Sequence, residues 1–283
     1  MPHFAIAGLQ LELQNQNNLD VIEEEIRSVV ARFPWVQMVV LAELSAFGTS
    51  PARAEPMPGA TEKRFCAIAR DCDIWLIPGS LFEKNGGKIY NTSPVINPAG
   101  EVVARYRKMF PFLPYEQGIA SGDQFVVFDV PDVGRFGLSI CYDMWFPETT
   151  RTLACMGAEI IIHPSLTNTI DRDTEVAIAR ASAASNQCYF IDINVAGRLG
   201  MGRSCAFGPG GEVLHQAGTG HEVITLDLDL DHVRRVRSRG WNGLCQVLKS
   251  FRDSAISFPS CEAKKSTFPA LDALGPLTLP KKL

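Results

Sequence analysis

The sequence predicts a mixed-sheet, layered α/β domain, and three observations carry that prediction. Near-continuous apolar runs, such as residues 36–44, mark strands covered on both faces. Segments with apolar residues every three or four positions, such as Leu19, Ile22, Ile26 and Val29, mark helices between them. Gly-rich turns, Asn85-Gly86-Gly87 and Pro98-Ala99-Gly100, join further strands without a helix and so add antiparallel hairpins. Alternating strands and helices with added hairpins give layers rather than a closed barrel of one element type.

Residues 3–11 alternate apolar with small or polar groups (Phe4, Ile6, Gly8), a strand signal. Asn17 or Asn18 can cap the first helix. The apolar run 36–44 carries Glu43 near its end, and a loop rich in Pro and Gly over 48–59 follows. Thr61 is the expected cap of a second helix, whose buried stripe is Phe65, Ile68, Ala69 and Cys72. Strands are expected at 74–82, 88–96 and 101–106, then an irregular stretch over 108–122 held by Pro111 and Pro114. A strand at 124–130 precedes a short buried one at 136–140 that leads into Cys141. Pro147 suits the first turn of a helix, and Gly157 ends it. After a strand at 160–163 come a helix over 173–185, strands at 189–195, 204–207, 212–215 and 223–227, and a short charged helix over 231–237. With no internal repeat or low-complexity tract, residues 1–250 are expected to form one domain, and residues 251–283, with four prolines in the last 25, an extended arm.

Composition narrows the function. A net charge of −4 leaves no basic footprint for nucleic acid, and no apolar stretch approaches a membrane span. The opening Met-Pro-His-Phe-Ala-Ile-Ala reads directly as a strand, so no secretory signal is expected. None of the eight cysteines forms a C-x-x-C pair, and five lie inside apolar periodic segments, which favours reduced thiols and a cytoplasmic location over a disulfide framework. The five histidines show no metal-ligand spacing, and no dinucleotide or Walker-type glycine loop occurs, so no metal or cofactor is expected.

Three residues stand out. Cys141 falls at a strand exit just before a helix, where backbone N–H groups lie close to a thiol. Glu43 follows Val39-Val40-Leu41-Ala42, and a carboxylate in such a setting is paired, protonated or used. Lys108 closes Arg105-Tyr106-Arg107-Lys108 at another strand end; by itself it reads as a solvated edge. His163, in Ile161-Ile162-His163-Pro164, leaves a Cys–His nucleophile pair open beside the plainer reading of a packed strand end.

Taken together, Glu43, Tyr106-Arg107-Lys108 and Gly137-Leu138-Ser139-Ile140-Cys141-Tyr142-Asp143 resemble the Glu–Lys–Cys triad of the nitrilase superfamily of carbon–nitrogen hydrolases. The resemblance runs from residue 3 to about 240 and includes the segment 202–212 and the helical Arg180 and Asn186. It implies a four-layer α-β-β-α sandwich paired through the helices after the cysteine, hence a homodimer or larger homo-oligomer. Cys141-Tyr142-Asp143 is similar to the amidase-type branches. Lys108 to Glu116 resembles the aliphatic amidase and formamidase pattern, in which a second glutamate follows the lysine by eight residues. Two positions depart from it: Trp145 stands where many amidase-like members have Arg, and the Thr174–Glu175 region lacks a Trp.

The implied activity is hydrolysis of a small carboxamide to carboxylate and ammonia through a Cys141 thioester, with Glu43 as acid and base. Lys108 and the Tyr142 backbone N–H are expected at the oxyanion, Glu116 beside Lys108, and Phe47, Tyr115, Trp145 and Ser165 as pocket walls. The alternatives are an N-carbamoyl hydrolase, in which Arg172 would grip a substrate carboxylate, a nitrilase, and a catalytically silent small-molecule scaffold.

Overall fold

The computed structural model describes residues 3–262 and 268–279. Two mixed sheets lie face to face with helices on their outer sides. The first contains β1 (His3–Gln10), β2 (Met38–Leu41), β3 (Trp75–Ile77), β4 (Leu81–Asn85), β5 (Lys88–Ile96), β6 (Val102–Arg107) and β7 (Ile119–Ala120). Its outer strand β14 (Glu222–Asp229) comes from the far end of the chain and pairs antiparallel with β1, from His3 opposite Asp229 to Gln10 opposite Glu222. From there the order runs β14-β1-β2-β3-β5-β4, with β6 and β7 also on β5. The second sheet runs β13-β12-β11-β10-β9-β8. Its strands are β8 (Val126–Val130), β9 (Gly134–Leu138), β10 (Ile160–Ser165), β11 (Tyr189–Asn194), β12 (Cys205–Phe207) and β13 (Val213–Gln216).

Apolar burial on both faces of the central strands explains the layering. Met38, Val39, Val40 and Leu41 of β2 are all fully buried, as are Ile160, Ile161 and Ile162 of β10. Between the sheets Phe4 meets Phe136 edge-on, and Phe128 stacks on Phe136 and Trp75. The approach is close at Gly8, where a methyl would come within 2.2 Å of the Ile193 side chain. α1 (Leu19–Arg32) and α2 (Ala60–Cys72) bury Ile22, Ile26, Phe65 and Ile68 on the first sheet's side. α3 (Pro147–Cys155) and α4 (Arg172–Asn186) cover the second with Leu153, Val176, Ala179 and Ala183. α5 (Leu230–Arg239) follows β14 and buries Val233 and Val236.

Several local expectations need correction. The strand read over 36–44 stops at Leu41, because Leu44 turns the chain with φ 51° and the Glu43 amide bonds across to the Ser165 carbonyl of the second sheet. The α2 cap is not Thr61: the helix begins at Ala60, and the Glu55 carboxylate accepts the Thr61 amide. Asn17, not Asn18, accepts the Leu19 amide at α1. The irregular stretch 108–122 holds β7, parallel to β5. Beyond α5 the tail is not simply extended. α6 (Val247–Asp253), α7 (Pro259–Glu262) and α8 (Pro269–Asp272) are short helices, and nearly every described residue from 254 onward is exposed. Among the described residues no helix is long and apolar enough to cross a membrane.

Candidate active site

β9 and β10 run parallel, and the chain leaves β9 through the 3-10 turn Cys141–Trp145 before entering α3. Cys141 sits at φ 47°, a conformation unfavourable for a residue with a side chain and one that surrounding bonds must hold. Asp143 supplies part of that hold: its carboxylate accepts from the Ile140 and Phe110 amides at 2.8 and 2.9 Å and from the Tyr106 hydroxyl at 2.7 Å. Burial pushes this carboxyl up to about 6, against those donors.

His163 supplies the rest. Its Nε2 lies 3.1 Å from the Cys141 carbonyl and its Nδ1 2.7 Å from Ser139 Oγ. A carbonyl only accepts, so Nε2 carries the proton and Nδ1 accepts the serine hydroxyl. Burial pushes this imidazole down to about 4, which keeps it neutral. His163 therefore grips the backbone of Cys141 rather than its thiol, and the Cys–His pair left open by the sequence is not formed.

The carboxylate and the ammonium come from the other sheet. Lys108, just past β6, and Glu43, just past β2, are both almost completely buried. Lys108 Nζ donates to Glu43 Oε1 at 2.9 Å and to Glu116 Oε2 at 3.0 Å. Asn91 of β5 donates to the same Glu43 oxygen at 2.7 Å. Burial raises the Glu43 pKa, Lys108 opposes the rise, and Glu116 adds to it. Burial works against the Lys108 ammonium, yet Glu43, Cys141 and Glu116 outweigh it and hold its pKa well above the usual value. Burial and the neighbouring Glu43 push the Cys141 thiol well up, and Lys108 opposes the rise.

These groups open on one cleft of about 480 Å³, lined by Glu43, Lys108, Glu116 and Cys141 with Tyr142 and Trp145. Phe112, Leu166, Thr167, Glu175 and Arg198 also line it. Three expected wall residues lie elsewhere. Phe47 lines a small separate hollow beside Arg53 and Phe82. Tyr115 is 59% exposed and stacks on Phe112, which takes its place at the cleft. Ser165 is buried and donates to Asp192 at 2.6 Å. Arg172, offered as a substrate grip, is fully buried at the start of α4 and ion-paired with Asp192 and Glu175.

Sequence reasoning missed Asn91, Thr167 and Glu175. Asn91 had a signal, because Asn91-Thr92-Ser93 is a polar run inside a strand and all three are buried. Thr167 had none, and Glu175 was marked only as part of the Thr174–Glu175 departure, since their meeting depends on how the loop after β10 leads into α4. Glu175 accepts from Thr167 Oγ1 at 3.1 Å and from Trp145 Nε1 at 3.4 Å. The two positions that depart from the amidase-like pattern thus bond to each other. Among the described residues no cluster of His, Cys, Asp or Glu is set to hold a metal ion.

Residues 4–238 match the family described as Carbon-nitrogen hydrolase. The omega-amidase NIT2 of Homo sapiens is 30% identical over 94% of this chain and 100% of its own length. The solved carbon-nitrogen hydrolase of Helicobacter pylori superposes with a TM-score of 0.80 at 25% identity, covering 93% of this chain and 99% of that one. A variant of an amidase from Nesterenkonia sp., which carries the acetamide moiety of fluoroacetamide covalently at its active-site cysteine, superposes with a TM-score of 0.74. It is 26% identical, over 84% of this chain and 95% of its own. The chain belongs to the carbon–nitrogen hydrolases of the nitrilase superfamily and is an amidase-type enzyme acting on non-peptide C–N bonds.

Proposed function

We propose that the enzyme hydrolyses a small carboxamide to the carboxylate and ammonia through a thioester on Cys141. The observation that carries this reading is Lys108, whose ammonium is shared between Glu43 at 2.9 Å and Glu116 at 3.0 Å on the floor of the cleft that holds the thiol. Glu43 takes the thiol proton as sulfur adds to the amide carbon, and the carbonyl oxygen becomes an oxyanion. Lys108 and the Tyr142 amide, free at the start of its 3-10 turn, receive that charge. Donors of this kind contribute about 3 kcal/mol each. The C–N bond then breaks as Glu43 returns its proton to the nitrogen, and ammonia leaves. Water enters, loses a proton to Glu43 and attacks the thioester; the C–S bond breaks and the proton goes back to sulfur.

Glu116 holds the lysine head in place and also accepts the Phe112 amide, which ties it to the loop it sits on. The similarity to amidases and omega-amidases supports an amide over a nitrile. The carbamoyl reading loses its anchor, because Arg172 is spent on Asp192 and Glu175. Ammonia release from a panel of small amides, N-carbamoyl amino acids and nitriles tests the proposal. Amides are expected to turn over and the other two classes to lag by at least tenfold; turnover confined to carbamoyl compounds or nitriles would overturn it.

A further inference from the structure

Two charge clusters meet at the cleft, and each sets two carboxylates against one cation. Lys108 serves Glu43 and Glu116; behind the opposite wall Arg172 serves Asp192 and Glu175. Arg172 Nη2 is taken by Asp192 and by the Arg203 carbonyl, which leaves Glu175 one hydrogen bond from Arg172 Nη1 at 3.2 Å. The Glu175 carboxylate reaches the cleft side through Thr167 and Trp145, and Thr167 Oγ1 lies 3.9 Å from Cys141 Sγ. It stands one hydroxyl away from the nucleophile. Because that hydroxyl donates to Glu175, Thr167 presents lone pairs rather than a proton toward the sulfur. Lys108 and the exposed Arg198 are the cations lining the cleft, and Asp171 joins Glu175, Glu43 and Glu116 among its carboxylates.

We infer that Glu175 is a specificity-determining residue: with Thr167 and Trp145 it makes the wall beside Cys141 an acceptor surface that admits uncharged or amine-bearing acyl groups and excludes negative charge next to the scissile carbonyl. The substrate class named here rests on the amide reading above; the charge selection at Cys141 does not. Fixed charges inside a cleft act across low-dielectric walls and are poorly screened. Burial raises the Glu175 carboxyl, Arg172 opposes the rise, and Glu175 in turn raises the Cys141 thiol.

Iodoacetamide and iodoacetate probe this field without turnover. Each forms a C–S bond and releases iodide, and the two differ by one carboxylate. Mass spectrometry of the intact protein at pH 8 gives both rates at Cys141 and, as an internal reference, at the exposed Cys245. The iodoacetamide-to-iodoacetate ratio is expected to be at least about tenfold larger at Cys141 than at Cys245. Glu175→Gln should remove most of that excess and Glu175→Asp should retain it; Glu175→Met, close in volume, serves if the glutamine variant does not fold. Equal ratios at the two cysteines, or an excess unchanged when the charge is removed, overturns the assignment. In turnover, kcat/KM should fall from butyramide and β-alaninamide to malonamate, and Glu175→Gln should recover malonamate chiefly through KM. Selective alkylation with no amide hydrolysed would remove the amide reading and leave Glu175 its role.

Discussion

Cys141 sits on a left-handed backbone, φ 47°, held from one side by His163 and from the other by Asp143. Cys141→Ala should abolish turnover while thermal unfolding stays near wild type, since only a sulfur at the cleft floor is lost; residual activity above background would refute the nucleophile. Glu116 lies in an irregular stretch of the sequence, and it bonds to Lys108 at 3.0 Å. Glu116→Gln keeps the shape and removes the charge, so kcat should fall about a hundredfold with KM little changed, because small misplacements of such groups cost that much. Steady-state kinetics on the best amide of the panel decides it. His163 gives a pH prediction. Its folded pKa is about 4 against an ordinary 6.5, so between those values the unfolded chain binds a proton that the folded one refuses. Stability is present above 6.5 and lost as pH falls toward 4, by about 2 kcal/mol at pH 5. Asp143, raised to about 6, runs the other way: its contribution is present below the ordinary carboxylate range and lost as pH rises through 6. The difference between wild type and His163→Gln isolates the histidine, and urea midpoints at pH 7.5 and pH 5 should show the variant less acid-sensitive.

At the scale of elements, function gathers where strands end. Glu43 follows β2, Lys108 follows β6, and Cys141 follows β9. Glu43 and Cys141 were legible, because a charged or nucleophilic residue at the end of an apolar run is out of place in a core; Lys108, which read by itself as a solvated edge, was placed only by the family resemblance. The walls were not legible, because they depend on the path of the chain after the strand. Phe47 swings away as Leu44 takes φ 51°, and Ser165 points with His163 toward the buried side of β10, where Asp192 waits. Arg172 could be offered as a substrate grip because nothing local tells a helix start that meets the cleft from one that meets Asp192. The strand exit that carries Glu43 is fixed by the turn after β3. At Gly79, φ 73°, an added methyl would lie 1.8 Å from the Ala42 carbonyl oxygen. Gly79→Ala is expected to push that exit aside, lowering both kcat and the unfolding temperature, the latter by several degrees. Wild-type values for both would show that the approach is not needed.

Across the whole molecule, two features remain. The described segment beyond residue 254 shows Ile256, Phe258, Leu271, Leu274, Leu277 and Leu279 to solvent. Four prolines among the last 25 residues, read from the sequence as an arm, prevent these side chains from building a core of their own. We expect a second copy of the chain to cover them. Removing residues 254–283 should then shift the species seen by light scattering to a smaller one and lower its thermal stability; an unchanged mass would sink the idea. The other feature is the pairing of β1 with β14. The strand made first finds its outer neighbour only when Asp229 has been made, more than two hundred residues later. Synthesis at ordinary rates spans that interval in roughly 10–40 s. Through all of it, β1 offers unpaired amides and carbonyls along one side, the kind of edge that recruits other strands. A ribosome translating this message carries an unfinished sheet, and the enzyme's yield in a cell should depend on what shields that edge until the last strand arrives.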